Sequence, residues 1–399
     1  MMAMTKDQHL DEAREPKRIL SLDGGGIRGV LTLEYLDAIE RMLRERSGQP
    51  NLVLADYFDL IGGTSTGAII AASLACGMKV GELKTLYRDL GESVFEPSYF
   101  QQWQLGQKLA GVISPKFPGH RVQQALDKCL GATTTLDSPL VRTGLMIMTK
   151  RLDTGSPWPL HNHPRARYSA QDGQLLLTQV VRASTAAPTY FEPQEISISS
   201  RNGSVTTAAF VDGGVSPFND PALQLLMLAA LDGHGFRWKT GKDRLLLISV
   251  GTGTYRETFT AEALLKMKAA EQGLRSLKSL MDDTGRVNHA LLQWLTNCVT
   301  PWTIDRAVGD MRTDSKNGPQ LATYARYNVL LDQKWLAGLS TEITVEYLPE
   351  RLTKIAEMDD ATNMDELAEI GRLAAKIQID PAHFPQEFDL RDDPAAADA

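Results

Sequence analysis

Apolar positions along this 399-residue chain follow two rhythms. Short apolar runs at 18–23, 57–62, 144–149, 208–212 and 245–250 predict buried strands, and most lead straight into glycine. Longer segments carry helical spacing. In 30–46, Leu36, Ile39 and Leu43 share one face and Glu34, Asp37, Glu40 and Arg44 the other, and Gly48-Gln49-Pro50 closes the segment. A further helix is predicted at 175–187, stopped by Pro188. A strand, a glycine turn and a helix occur twice before residue 80. That order predicts an α/β fold: a central, mostly parallel sheet flanked by helices. Segment 81–140 reads as amphipathic helices with loop breaks, and 152–168 as a polar, proline-bearing hairpin. Beyond residue 259 helical patterns dominate (261–281, 287–298, 348–358 and 364–377), predicting a helical C-terminal part. The expected organisation is a flexible lead at 1–17, an α/β catalytic domain at 18–254, a helical extension packed on it at 255–385, and an acidic, disordered tail at 386–399.

Composition narrows the class. Hydrophobic residues make up 43% and charged residues 23%, the balance of a globular protein. A net charge of −7 gives no footprint for a nucleic-acid polymer. No apolar stretch of about 18 residues is present to span a bilayer, and the polar start does not read as a signal peptide. Cys76, Cys129 and Cys298 lie far apart without C-x-x-C spacing, so they read as buried thiols in a reducing, cytoplasmic setting, not as a metal site. A lipid substrate would then be reached peripherally, at the inner face of the membrane. Phe95, Tyr99, Phe100 and Trp103 are read either as packing between helices or as a lipid-facing lid. Together with Trp158 and Trp302 they are the candidate membrane contacts.

Three glycine motifs carry the chemistry. Gly63-Thr64-Ser65-Thr66-Gly67 follows a strand run and precedes a small-residue helix start, the setting of a nucleophile elbow with Ser65 on the turn. Asp23-Gly24-Gly25-Gly26-Ile27-Arg28-Gly29 joins the first strand to the first helix. Consecutive glycines there turn backbone N–H groups into a cavity, where they suit a phosphate or a developing oxyanion, and Arg28 adds a fixed positive charge. Gly24-x-Gly26-x-x-Gly29 also fits the dinucleotide fingerprint. That fingerprint wants an acidic residue closing the second strand, where this chain has Gly-x-Ser-x-Gly. Asp212-Gly213-Gly214 closes another apolar run, placed either as an ordinary turn or as a catalytic carboxylate.

A serine nucleophile needs a base. None of the seven histidines (His9, His120, His161, His163, His234, His289, His383) is flanked by a strand end or a glycine turn. The alternative is a Ser–Asp pair. A carboxylate is a poor base for an alcohol unless the two share a short hydrogen bond in a partly dry site beside an anion hole.

The ordered set Asp-Gly-Gly-Gly-Ile-Arg-Gly, Gly-Thr-Ser-Thr-Gly and Asp-Gly-Gly, with the segment 182–191 before the last, resembles the patatin-like phospholipases, bacterial stand-alone type. The resemblance covers roughly 18–254. It implies the fold of patatin and of the cytosolic phospholipase A2 catalytic domain. It further implies Ser65 as nucleophile, Asp212 as base, and the amides of Gly24, Gly25 and Gly26 with Arg28 as oxyanion hole. Gly29, Gly63, Gly67, Gly213 and Gly214 would be motif glycines. The implied activity is phospholipase A-type ester hydrolysis of membrane glycerolipids, without metal or organic cofactor. An alternative from the same resemblance is a latent membrane-degrading effector, switched on by a cyclic oligonucleotide in bacterial anti-phage defence.

Overall fold

Six buried residues, Lys17–Leu22, form strand β1 in the middle of a mixed sheet. The computed structural model describes residues 4–94, 116–199, 204–255, 260–339 and 347–390. Its other strands are β2 (Leu60–Thr64), β3 (Gly144–Arg151), β4 (Pro157–His161), β5 (Gln194–Ser199), β6 (Val205–Asp212), β7 (Leu245–Val250), β8 (Asn297–Cys298) and β9 (Thr323–Tyr327). The order is β5-β6-β3-β2-β1-β7-β9-β8, with β4 added to β3. From β3 to β8 every pairing is parallel, while β4, β5 and β6 enter antiparallel. The predicted α/β architecture is the one observed.

The helices used below are α1 (Lys6–Leu10), α2 (Gly29–Ser47), α3 (Thr66–Ala75), α4 (Val80–Val94), α5 (Leu177–Ser184), α6 (Ala222–Ala230), α7 (Ala269–Leu295) and α8 (Met364–Gln378). Strand alternation sends side chains to both faces of the sheet. Leu20, Leu22, Ile248, Val250 and Tyr327 join one buried cluster with α2, α3, α4 and α8. Ile19, Leu247 and Tyr324 join another with α6 and Leu292 of α7. Both faces are covered, as a parallel sheet requires. Gly48 ends α2 in the left-handed conformation (φ 67°), its N–H bonded to the carbonyls of Arg44 and Glu45. The predicted polar face of α2 is not all solvated. Glu40 is buried, paired with Arg44 and accepting the Val80 amide, and Glu34 pairs with Lys84 of α4.

The ends differ from expectation. The lead carries α1, with a capping box at Thr5 and with His9 and Leu10 buried; His9 bonds Asp59 at 2.9 Å. Beyond 254 the chain supplies helices and also β8 and β9, whose short runs the helical pattern on either side obscures. The two helices predicted around 261–298 are largely the single helix α7. Residues 386–390 are packed, with Phe388 buried and Asp389 paired to Arg46, while 391–399 lie outside the described residues. The aromatic segment Phe95 to Trp103 also lies outside them. Among the described residues no helix is long and apolar enough to cross a membrane.

Candidate active site

Strands β1, β2, β7 and β9 all point their C-terminal ends at one edge of the sheet, where ligands of open α/β folds bind. Register brings the two distant motifs together there. Thr64 of β2 lies opposite Met148, and the next residue of β3, Thr149, lies opposite Asp212 of antiparallel β6. Ser65 and Asp212 therefore leave the two strands that flank β3 at nearly the same level. The Ser65 hydroxyl donates to Asp212 Oδ2 at 2.6 Å.

Ser65 has φ 54° and ψ −121°, a conformation that L-residues avoid. Three contacts hold it. A Cβ on Gly63 would lie 2.0 Å from the Gly67 carbonyl oxygen, and one on Gly67 would lie 2.2 Å from that of Leu22, so only glycine lets strand and helix meet this closely. The Ser65 amide donates to Ser184 Oγ at 2.8 Å, and that hydroxyl donates to the Met148 carbonyl at 2.6 Å. Asp212 is fixed by its own amide on the Ala186 carbonyl and by Gly214 N–H on its Oδ1 at 2.7 Å. Burial pushes the Asp212 carboxyl up to about 6, against the lowering effects of the Ser65 hydroxyl, the Gly214 amide and Arg182. A pKa nearer neutrality makes this carboxylate a stronger base than an ordinary one.

The glycine turn packs against Ser65: a Cβ on Gly24 would come within 3.1 Å of the serine Cβ. Its carbonyls are all held by protein donors. Gly24 O accepts from Thr252 (2.7 Å) and Asn219 (3.3 Å), Gly25 O from Arg28 Nε (3.4 Å), and Gly26 O from Tyr87 (2.5 Å) and Thr66 (2.8 Å). Locked carbonyls fix the peptide planes, and the amides of Gly25 and Gly26 have no protein acceptor among the described residues. The Gly24 amide differs from expectation. It donates to the Asn219 carbonyl at 3.1 Å, which leaves Gly25 and Gly26 as the free donors.

Arg28 is tied down as well. Burial lowers it to about 10, opposed by the charges of Asp282 and Asp23, so it stays cationic at neutral pH. Behind the turn lies an ion cluster. Arg326 of β9 bonds both oxygens of Asp23, with Nη1 on Oδ1 at 2.7 Å and Nη2 on Oδ2 at 2.5 Å. It also reaches Ser249 at 2.6 Å and Asp220 at 3.2 Å. Burial opposes the guanidinium charge, but Asp220 and Asp23 hold it well above its usual range. Burial pushes Asp23 up to about 7 in spite of Arg326, and the competing charge of Asp220 adds to the rise.

Ser65, Asp212 and the glycine turn line a cavity of about 670 Å³. Its apolar lining includes Ile69, Leu90, Val94, Val122 and Phe191. Among the described residues the sole histidine in the lining is His289, and no hydrogen bond joins it to Ser65 or Asp212. His9, His161, His163, His234 and His383 bond or stack with other groups. Trp158 and Trp302 are half-buried: Arg151 lies over the first ring, and the second donates its Nε1–H to the Arg326 carbonyl. The motifs do not announce Ser184, Tyr87, Thr252, Asn219 or Arg326. Only Ser184 stands in a segment marked by resemblance.

The family model described as Patatin-like phospholipase matches residues 20–226. Patatin-T5 of Solanum tuberosum is 30% identical over 261 residues, covering 63% of this chain and 65% of that protein. Patatin-15 of the same species is 30% identical over 298 residues, covering 71% and 75%. The cGAMP-activated phospholipase of Escherichia coli (strain TW11681) is 32% identical over 209 residues, covering 52% and 55%. Among solved structures, human GIVD cytosolic phospholipase A2 aligns with a TM-score of 0.41 and 12% identity, covering 96% of this chain and 62% of that one.

Proposed function

The chain belongs to the patatin-like phospholipase family, and we propose that it is a lipid acyl hydrolase of phospholipase A type, working through Ser65 and Asp212. The observation that carries this reading is the 2.6 Å bond from the Ser65 hydroxyl to a buried, proton-seeking carboxylate. Ser65 attacks the acyl carbonyl while Asp212 takes its proton. The oxyanion is received by the amides of Gly25 and Gly26, and Arg28 lends positive potential. The intermediate collapses as Asp212 passes the proton to the departing alcohol, leaving an acyl-Ser65 ester. Water, deprotonated by Asp212, then releases the fatty acid and frees the serine. The apolar lining suits an acyl chain drawn from a membrane surface that the protein meets from one side.

Purified Ser65→Ala and Asp212→Ala proteins should fold like the parent and lose hydrolysis of phosphatidylcholine vesicles. The parent should label at Ser65 with a fluorophosphonate. Turnover retained by Ser65→Ala protein sinks the reading.

The similarity to a cGAMP-activated phospholipase favours a second reading, in which the same dyad is latent until a cyclic oligonucleotide binds. Vesicle hydrolysis measured with and without cGAMP separates the two. A low basal rate that rises with cGAMP marks the switch, and a high, unresponsive rate excludes it.

A further inference from the structure

The cavity that holds the dyad also has a wall supplied by residues after 254. Asp282, Gly285, Arg286 and His289 of α7 all line it. Their spacing of three and four places them on one helical face. The loop after β8 adds Arg306. These two arginines are differently placed from Arg28. Arg28 is half-buried, spends its Nε–H on the Gly25 carbonyl and is offset by Asp282. Arg286 is more than half exposed and among the described residues pairs with a similarly exposed Asp283 at 3.5 Å, a pair of little strength. Arg306 is exposed and has no ion-pair partner among the described residues. Deeper on the same face, His289 Nε2 is buried without a hydrogen-bond partner among the described residues.

One cavity thus joins an apolar lining, a cleavable-ester site and two uncommitted guanidinium groups. Its chemistry matches a molecule with an acyl chain, an ester and an anion in sequence. Guanidinium groups take phosphate oxygens through paired N–H bonds. We propose that Arg286 and Arg306 form a headgroup subsite for the phosphate diester of a glycerophospholipid, with the acyl chain against Leu90, Val94 and Val122. The inference rests on the dyad reading for where the ester lies, yet binding tests it without catalysis.

The experiment uses full-length Ser65→Ala protein, which turns nothing over, and calorimetric titration with dihexanoylphosphatidylcholine, dihexanoylglycerol and inorganic phosphate. The phospholipid should bind more tightly than the neutral lipid. Arg286→Gln/Arg306→Gln should lower the ratio of the two affinities at least tenfold, and the Arg→Lys pair should keep part of it. Absent phospholipid binding, an unchanged ratio, or equal weakening of both lipids overturns the subsite. Inorganic phosphate binding more tightly than the phospholipid, with the arginine effect confined to it, would make this a free-anion site and also overturn the assignment. Loss of the subsite leaves Ser65-dependent hydrolysis by the parent standing. Failure of that hydrolysis leaves the measured affinity ratio standing.

Discussion

Ser184 accepts a hydrogen bond from the Ser65 amide and donates one to the Met148 carbonyl, so one hydroxyl ties the strained turn to the strand beside it. Ser184 is fully buried. Ser184→Ala leaves an amide and a carbonyl unsatisfied, at a cost of about 1–3 kcal/mol. Ser65 should then relax from its positive φ. The expected outcome is a lower melting temperature and a fall in kcat of about tenfold or more, with slower fluorophosphonate labelling of the folded protein.

Asp212 must be ionised to take the serine proton. With its pKa raised to about 6, kcat/KM should climb through an acid limb centred near pH 6 and level off above pH 7. The same shift affects stability with the opposite sense. The folded state holds the proton more tightly than the unfolded chain, so this group's contribution is full below pH 4 and lost as pH rises through 6. Asp212→Asn should therefore abolish turnover while raising the melting temperature at pH 7–8, and the gain should vanish near pH 4. Denaturant melts of parent and variant across that range check the sign, because every other titrating group is common to both.

Tyr87 holds the Gly26 carbonyl from beneath and touches Thr66, the residue after the nucleophile. Tyr87→Phe removes only the hydroxyl. It should lower kcat about tenfold and leave KM nearly unchanged, because a looser Gly26 peptide weakens the oxyanion contact and not ground-state binding. Steady-state kinetics on a soluble ester separates the two constants. An equal change in both would remove the positioning role.

Gly63→Ala forces a methyl to within 2.0 Å of a main-chain oxygen, and Gly67→Ala to within 2.2 Å of another. Neither obstacle is a side chain that can swing away. Each variant should lose more than about 4 kcal/mol, seen as insoluble protein or as a collapsed denaturation midpoint.

The three motifs are readable because glycine and chain order mark strand ends without help from tertiary contacts. Strand β7 is legible to the residue, since Leu245–Val250 is apolar at every position but Ser249. Strands β5 and β9 are not. Gln194–Ser199 is polar at alternate positions, and Thr323–Tyr327 hides an arginine whose partners lie far away in sequence. Arg326 reads as a surface residue until Asp23 is placed beside it, 303 positions earlier. Gly24 departs from its expected role for a similar reason. Its amide is spent on Asn219, a contact that only the folded loop creates.

Arg326 stands on β9, outside the span that gives the family its signature. A minimal enzyme cannot be cut from this chain by keeping the three motifs and discarding everything C-terminal to them. Without that strand, two sequestered acids would face each other with no counter-ion, a loss of about 3–5 kcal/mol at the hinge of the glycine turn. The C-terminal third is thus the keystone of the catalytic half, and fusions or truncations have to spare it.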